Sequence, residues 1–245
     1  MKRYDYAIDA AFHYSRDRLA YPVEQKLSWP DSGKVLARSL EYAVSGLGIA
    51  WGHPVKAGPK AQRIFDTLGP HTPPALATAV VGIWAAEGQT DAKLPFDQLH
   101  ALATAAVDSL HKLSNSTPPT DLAVPPSPQP INWEDLDPQD QVLLSTAAAE
   151  ARKWVPDLQV RLFGSRAAGR ARPDSDYDLL LIFPTLPHPQ QSLAIGDLTT
   201  HVRNHDAEVD RVELSAAAWT QPEPADELIV DLTRQCSIEV PSACS

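Results

Sequence analysis

Residues 116–130 read Ser-Thr-Pro-Pro-Thr-Asp-Leu-Ala-Val-Pro-Pro-Ser-Pro-Gln-Pro, and a stretch this dense in proline can form neither a helix interior nor a central strand. It divides the 245-residue chain into a first part over 1–115, a semi-extended linker over 116–132 and a second part over 133–245. Either part is long enough to bury a core of its own. Charge follows the same division. Residues 1–115 carry 12 Lys+Arg against 11 Asp+Glu, whereas 116–245 carry 9 against 20, a balance of −11 that disfavours an extended nucleic acid as partner. Four of those nine cations, Arg161, Arg166, Arg170 and Arg172, fall within twelve positions.

The first part reads as all-helical. Leu36, Leu40, Ala43, Val44 and Leu47 recur at helical spacing, Gly46 and Gly48 lie within or near the end of that helix, and Pro54 prevents its continuation. Further helices are expected over 3–18, 60–68, 74–87 and 95–113. The second part alternates. Asp137-Pro138 supplies a cap and a first-turn proline for a helix to about Trp154. Strands are expected over 158–163, 177–183 and 208–214, with a helical turn or two over 165–170 and helices over about 190–204 and 224–235. The fold class is therefore α+β: a helical domain followed by a short mixed β-sheet backed by helices.

No run approaches the roughly 18 apolar residues a membrane span needs, and Met1-Lys2-Arg3 leads into Tyr4-Asp5-Tyr6 rather than an apolar segment, so a cytoplasmic protein is expected. Cys236 and Cys244 have no second pair and no neighbouring histidines, which argues for neither a disulfide framework nor a zinc site. His201 and His205 stand four apart on the helix expected there and read as an exposed helix face; His53 and His71, beside prolines, read as structural. The six tryptophans are scattered rather than striped, which suits packing better than a stacking platform.

The chemistry concentrates in 162–183. Asp176 and Asp178 flank Tyr177 at the start of an apolar strand, and the period of two points both carboxylates from one face. Such a pair suits Mg²⁺ or Mn²⁺. Upstream, Phe163-Gly164-Ser165-Arg166 leaves a strand for a helical turn, where a glycine lets backbone approach a phosphate, the Ser165 hydroxyl can donate, and Arg166, with Arg170 or Arg172, can offset charge on a leaving pyrophosphate.

The stretch Leu162-Phe163-Gly164-Ser165-Arg166-Ala167-Ala168-Gly169-Arg170-Ala171-Arg172-Pro173-Asp174-Ser175-Asp176-Tyr177-Asp178-Leu179 resembles the signature of the DNA polymerase β-like nucleotidyltransferase superfamily: Gly-Ser, ten residues, then Asp-x-Asp on a hydrophobic strand. It is most similar to the minimal nucleotidyltransferases, among them aminoglycoside adenylyltransferases and antitoxin-type enzymes that adenylylate proteins. The resemblance covers about 135–240. It implies a metal-dependent transfer of a nucleoside monophosphate from a nucleoside triphosphate, ATP favoured, with Asp176 and Asp178 as metal ligands and Gly164, Ser165, Arg166 and Arg170 at the nucleotide. The family's third carboxylate corresponds to Asp210 in Val209-Asp210-Arg211-Val212, with Glu208 on the same strand face as its competitor.

The acceptor is left open between a protein side chain, as in toxin–antitoxin systems, an aminoglycoside and a tRNA end. A nucleotide-binding regulatory protein without turnover is the rival reading, and homo-oligomerisation is undecided. The first part loosely resembles the helical HEPN domains that often accompany these enzymes. Their ribonuclease signature is an Arg, four to six residues, then a His, and Arg63 and His71 have seven between them.

Overall fold

A computed structural model of the chain describes residues 4–25, 31–54, 59–87, 95–123, 126–172, 175–185, 189–205 and 208–241. The chain forms two compact units, Met1–Pro125 and Pro126–Ser245.

The first unit holds α1 (Asp5–Gln25), α2 (Asp31–Ala50), α3 (Pro59–Leu68), α4 (Pro74–Ala85) and α5 (Phe96–Ser114). Helix α1 outruns its expected end at residue 18 and carries Pro22 inside it, buried. Helix α2 is the core of the unit: Leu36, Ala37, Leu40, Ala43, Val44 and Leu47 are all fully buried. Gly46 marks where α1 comes closest, since a β-carbon there would lie 2.7 Å from the ring of Phe12, itself fully buried and 4.4 Å from the ring of His111. Residues of the proline-dense segment pack back on this unit. Leu122 is buried and Asp121 stands 3.4 Å from His71, while residues 124 and 125 lie outside the described residues. His53 is buried as well, and burial holds its imidazole below the ordinary value, with the Ala123 backbone partly offsetting the effect.

The second unit runs α6 (Pro138–Trp154), β1 (Gln159–Phe163), α7 (Gly164–Ala167), β2 (Tyr177–Phe183), α8 (Pro189–Arg203), β3 (Val209–Ser215), α9 (Ala216–Thr220), α10 (Glu227–Gln235) and β4 (Ser237–Glu239). Asp137 caps α6 by accepting from the Gln139 amide at 2.8 Å, with Pro138 in the first turn. The sheet has four strands in the order β3-β2-β1-β4; β1 is antiparallel to β2 and to β4, and β2 is parallel to β3.

Strand β2 is buried along its whole length, with an apolar layer packed on each of its faces. On one face Tyr177, Leu179, Leu181 and Phe183 pack with Val160 and Leu162 against Leu144, Ala147 and Ala151 of α6 and Ala194, Leu198 and Val202 of α8. On the other, Leu180 and Ile182 pack with Phe163, Leu214 and Val230 under Trp219 and Ile229, from α9 and α10.

The α+β layout matches the sequence reading, with three differences in detail. The helical turn after β1 ends at Ala167 rather than continuing to 170. The helix expected over 224–235 begins at Glu227 and is followed by β4, so it does not close the fold. Helix α8 ends at Arg203, which leaves His205 in the turn beyond it with its ring edge-on to His201. Strand β4 is anchored by Arg152, which donates to the carbonyls of Leu158, Val240 and Pro241 at 2.9–3.0 Å. Cys236 is buried and unoxidised, its thiol pushed up by burial; Cys244 and Trp29 lie outside the described residues.

Because Phe12 has no room to move, Gly46→Val should destabilise the first unit by about 2 kcal/mol or more, the range for overpacked cores. Urea unfolding followed by helical signal measures it, and an unchanged midpoint would contradict the close contact of α1 and α2.

Candidate metal and nucleotide site

Parallel pairing sets Asp178 directly beside Asp210, followed by Leu180 beside Val212 and Ile182 beside Leu214. These residues share the sheet face that α9 and α10 cover farther along, so the two carboxylates stand where the apolar layer gives way. Asp176 joins them from the residue pair preceding β2. Ligand atoms of Asp176, Asp178 and Asp210 all lie within 4.8 Å of one another, the single grouping of three or more such side chains among the described residues. Asp178 is buried, Asp176 half-buried and Asp210 exposed, so the cluster is anchored in the sheet and open on one side. Glu208 is exposed and outside the cluster; its carbonyl instead accepts from the Tyr177 amide at 2.8 Å. Of the two, Asp210 is the one grouped with Asp176 and Asp178.

The Gly-Ser turn abuts this cluster. Gly164 has φ +75°, and a β-carbon on it would fall 2.1 Å from Oδ2 and 2.8 Å from Cγ of Asp178. The backbone of the turn therefore lies directly against the buried carboxylate, a closeness that only glycine permits. Ser165 follows at half-exposure, its carbonyl accepting from the Arg170 amide at 2.9 Å. Three carboxylates supply hard oxygen donors at mutual distances that one divalent cation can span, so the residues present fit such an ion.

The arginines divide. Arg170 and Arg172 are exposed on the loop. Arg166, expected at a leaving pyrophosphate, is turned the other way. One terminal nitrogen donates to Asp140 Oδ2 at 2.8 Å, the other to the Ser175 carbonyl at 2.7 Å, and the guanidinium lies 3.9 Å from the centre of the Tyr177 ring. The Tyr177 hydroxyl donates to the second oxygen of Asp140. Tyr177 and Asp178 are successive residues of one strand and point to opposite faces, so Arg166 sits behind the sheet from the carboxylate cluster. Burial, and then the bond to Asp140, raise the Tyr177 phenol well above its usual range, which keeps it a donor. Sequence reasoning missed Asp140, whose only signal was its place in the first turn of a well-capped helix.

Gly164→Ala should displace Asp178 and strain a left-handed backbone position together. Mn²⁺ affinity of the cluster, read by electron paramagnetic resonance, is expected to fall at least about tenfold; wild-type affinity in the variant would mean that the turn does not press on Asp178.

Residues 144–215 match the family model described as nucleotidyltransferase domain, a stretch that begins within α6 and ends with β3. No curated protein and no solved structure matches the chain. The matched stretch contains the Gly-Ser turn and all three aspartates, and it supports a transferase of the nucleotidyltransferase superfamily, with a nucleoside triphosphate as substrate.

Proposed function

We propose that the second unit transfers a nucleoside monophosphate, AMP in the first instance, from a nucleoside triphosphate to an acceptor hydroxyl, and that Asp176, Asp178 and Asp210 hold Mg²⁺ or Mn²⁺ for the reaction. The observation that carries this reading is the convergence of the three aspartates within 4.8 Å beside Gly164. A cation bound there supplies charge neutralisation at the α-phosphate and at the oxygens entering and leaving it.

The chain's own residues orient and bind. Gly164 and Ser165 hold the β- and γ-phosphates through backbone amides and the Ser165 hydroxyl, a role supported by the backbone of Gly164 lying against Asp178. Arg170 and Arg172, exposed on the same loop, are the cations free to swing toward pyrophosphate as it leaves. Asp210, the most exposed of the three, faces the side from which an acceptor arrives and helps to activate its hydroxyl. An in-line attack then exchanges pyrophosphate for the acceptor oxygen, with no covalent bond to the protein, so catalysis is positioning and electrostatics.

A protein side chain, as in toxin–antitoxin systems, is the acceptor that a small acidic module favours, since a −11 balance over 116–245 repels a polyanion. Residues 1–115 then serve to bind or regulate that partner.

Asp178→Asn should lower transfer from α-labelled ATP by at least about a thousandfold, the scale on which such electrostatic groups act, while circular dichroism stays that of the wild type. Transfer retained in this variant would remove the mechanism. Incubating wild-type protein with each α-labelled nucleoside triphosphate and a host lysate identifies the base and the acceptor: a labelled protein band is expected with ATP, and label in tRNA or in a small aminoglycoside would replace the acceptor assignment.

A further inference from the structure

We propose that Arg166, Asp140 and Tyr177 form a positioning brace that fixes the spacing of Asp176 and Asp178 for cation binding, and that Arg166 acts there rather than on a phosphate. The inference rests on the reading of the aspartate cluster as a metal site.

Two contacts of the brace end on residues next to a proposed ligand, and the third anchors it to α6. Arg166 holds the Ser175 carbonyl, one residue before Asp176. It also stands over the ring of Tyr177, which lies between Asp176 and Asp178 and whose hydroxyl is bound by Asp140. Asp140 uses both oxygens, one for each partner. The side chains of Arg166 and Asp140 are 10% and 12% exposed and Tyr177 is 5% exposed, so water does not compete for these bonds. Arg166 is also two residues from Gly164, whose backbone presses on Asp178 from the other side. One guanidinium thus ties the Gly-Ser turn to the start of β2 and the residues just before it, with α6 as the support.

A planar fork is required for this role. Two nitrogens must reach Asp140 and Ser175 while the guanidinium carbon stays over an aromatic ring, which a lysine ammonium cannot do. Phosphate binding would require the same guanidinium to leave a buried ion pair and cross to the opposite face of the sheet. Asp140 lies four residues before the stretch matching the nucleotidyltransferase domain, so the brace joins that domain to a part of α6 outside the match.

The test is Mn²⁺ binding to the full chain, read by electron paramagnetic resonance without nucleotide, together with nucleoside triphosphate binding by calorimetry and the urea midpoint of each variant. Tyr177→Phe keeps the ring under Arg166 and removes only the hydroxyl; Arg166→Lys keeps the charge and removes the fork. Both are expected to raise the Mn²⁺ dissociation constant about tenfold or more in the folded protein, the usual consequence of releasing the groups that orient metal ligands. A lower urea midpoint with wild-type Mn²⁺ affinity would show a structural role alone and overturn the proposal. Weakened triphosphate binding by Arg166→Lys with Mn²⁺ affinity unchanged would return Arg166 to the phosphates and overturn it equally. Should Arg166→Lys fail to fold, Tyr177→Phe decides. Wild-type protein that binds no Mn²⁺ would sink the metal site itself, and the brace with it, an outcome distinct from unequal binding among variants.

Discussion

Three carboxylates forced together are the constraint on which the second unit turns. Two unit charges 4.8 Å apart, the widest separation in the cluster, would repel by roughly 3 kcal/mol at the effective dielectric of a protein surface, less where water screens them. Like charges directly opposite on neighbouring strands destabilise a sheet, yet the register places Asp178 beside Asp210. The fold keeps this arrangement and buries one of its members against a left-handed glycine, a concentration of negative charge to which a cation would be complementary. Stability is supplied elsewhere: along β2 every residue after Asp178 is apolar and buried, so the strand is held by its far end while its near end carries the charge.

Sheet topology makes the convergence possible. A parallel pair needs a crossover, and α8 provides it over the same face that α6 covers, while on the opposite face Asp210 at the start of β3 is exposed. The antiparallel return from β1 to β2 brings Phe163 beside Asp178, and so delivers the Gly-Ser turn to the carboxylates. Helices α9 and α10 cover only the farther part of that face, over Leu180, Ile182 and Leu214.

Much of this was legible in the sequence because its signals are local. The apolar run of β2, the period of two that aligns Asp176 with Asp178, the capped start of α6 and the spacing of Leu36, Leu40 and Val44 each depend on a few neighbouring residues. Strand β4 was not legible: three residues after a helix carry no periodicity, and they are a strand only because β1 offers an edge. The choice of Asp210 over Glu208 was open for the same reason, since the two share a face and only the register with β2 separates them. Arg166 was read from its neighbours Gly164 and Ser165, but its partner Asp140 lies 26 residues upstream, and no local pattern reports such a pairing.

The two faces of β2 therefore do different work, and the order of its first residues shows why. Alternation sends Asp176 and Asp178 one way and Tyr177 the other, so a side chain between two ligands is available to be gripped from behind without entering the site. Gripping it with a neutral hydrophobe would fix depth but not rotation; a bidentate carboxylate and a planar guanidinium fix both. The cost is a buried ion pair, which adds little net stability compared with apolar packing but penalises every arrangement in which its partners separate. On the proposed metal site, that trade would suit a segment that holds Asp176 and Asp178 at a set spacing. It also directs the charge of Arg166 at Asp140, whereas the loop arginines Arg170 and Arg172 are exposed.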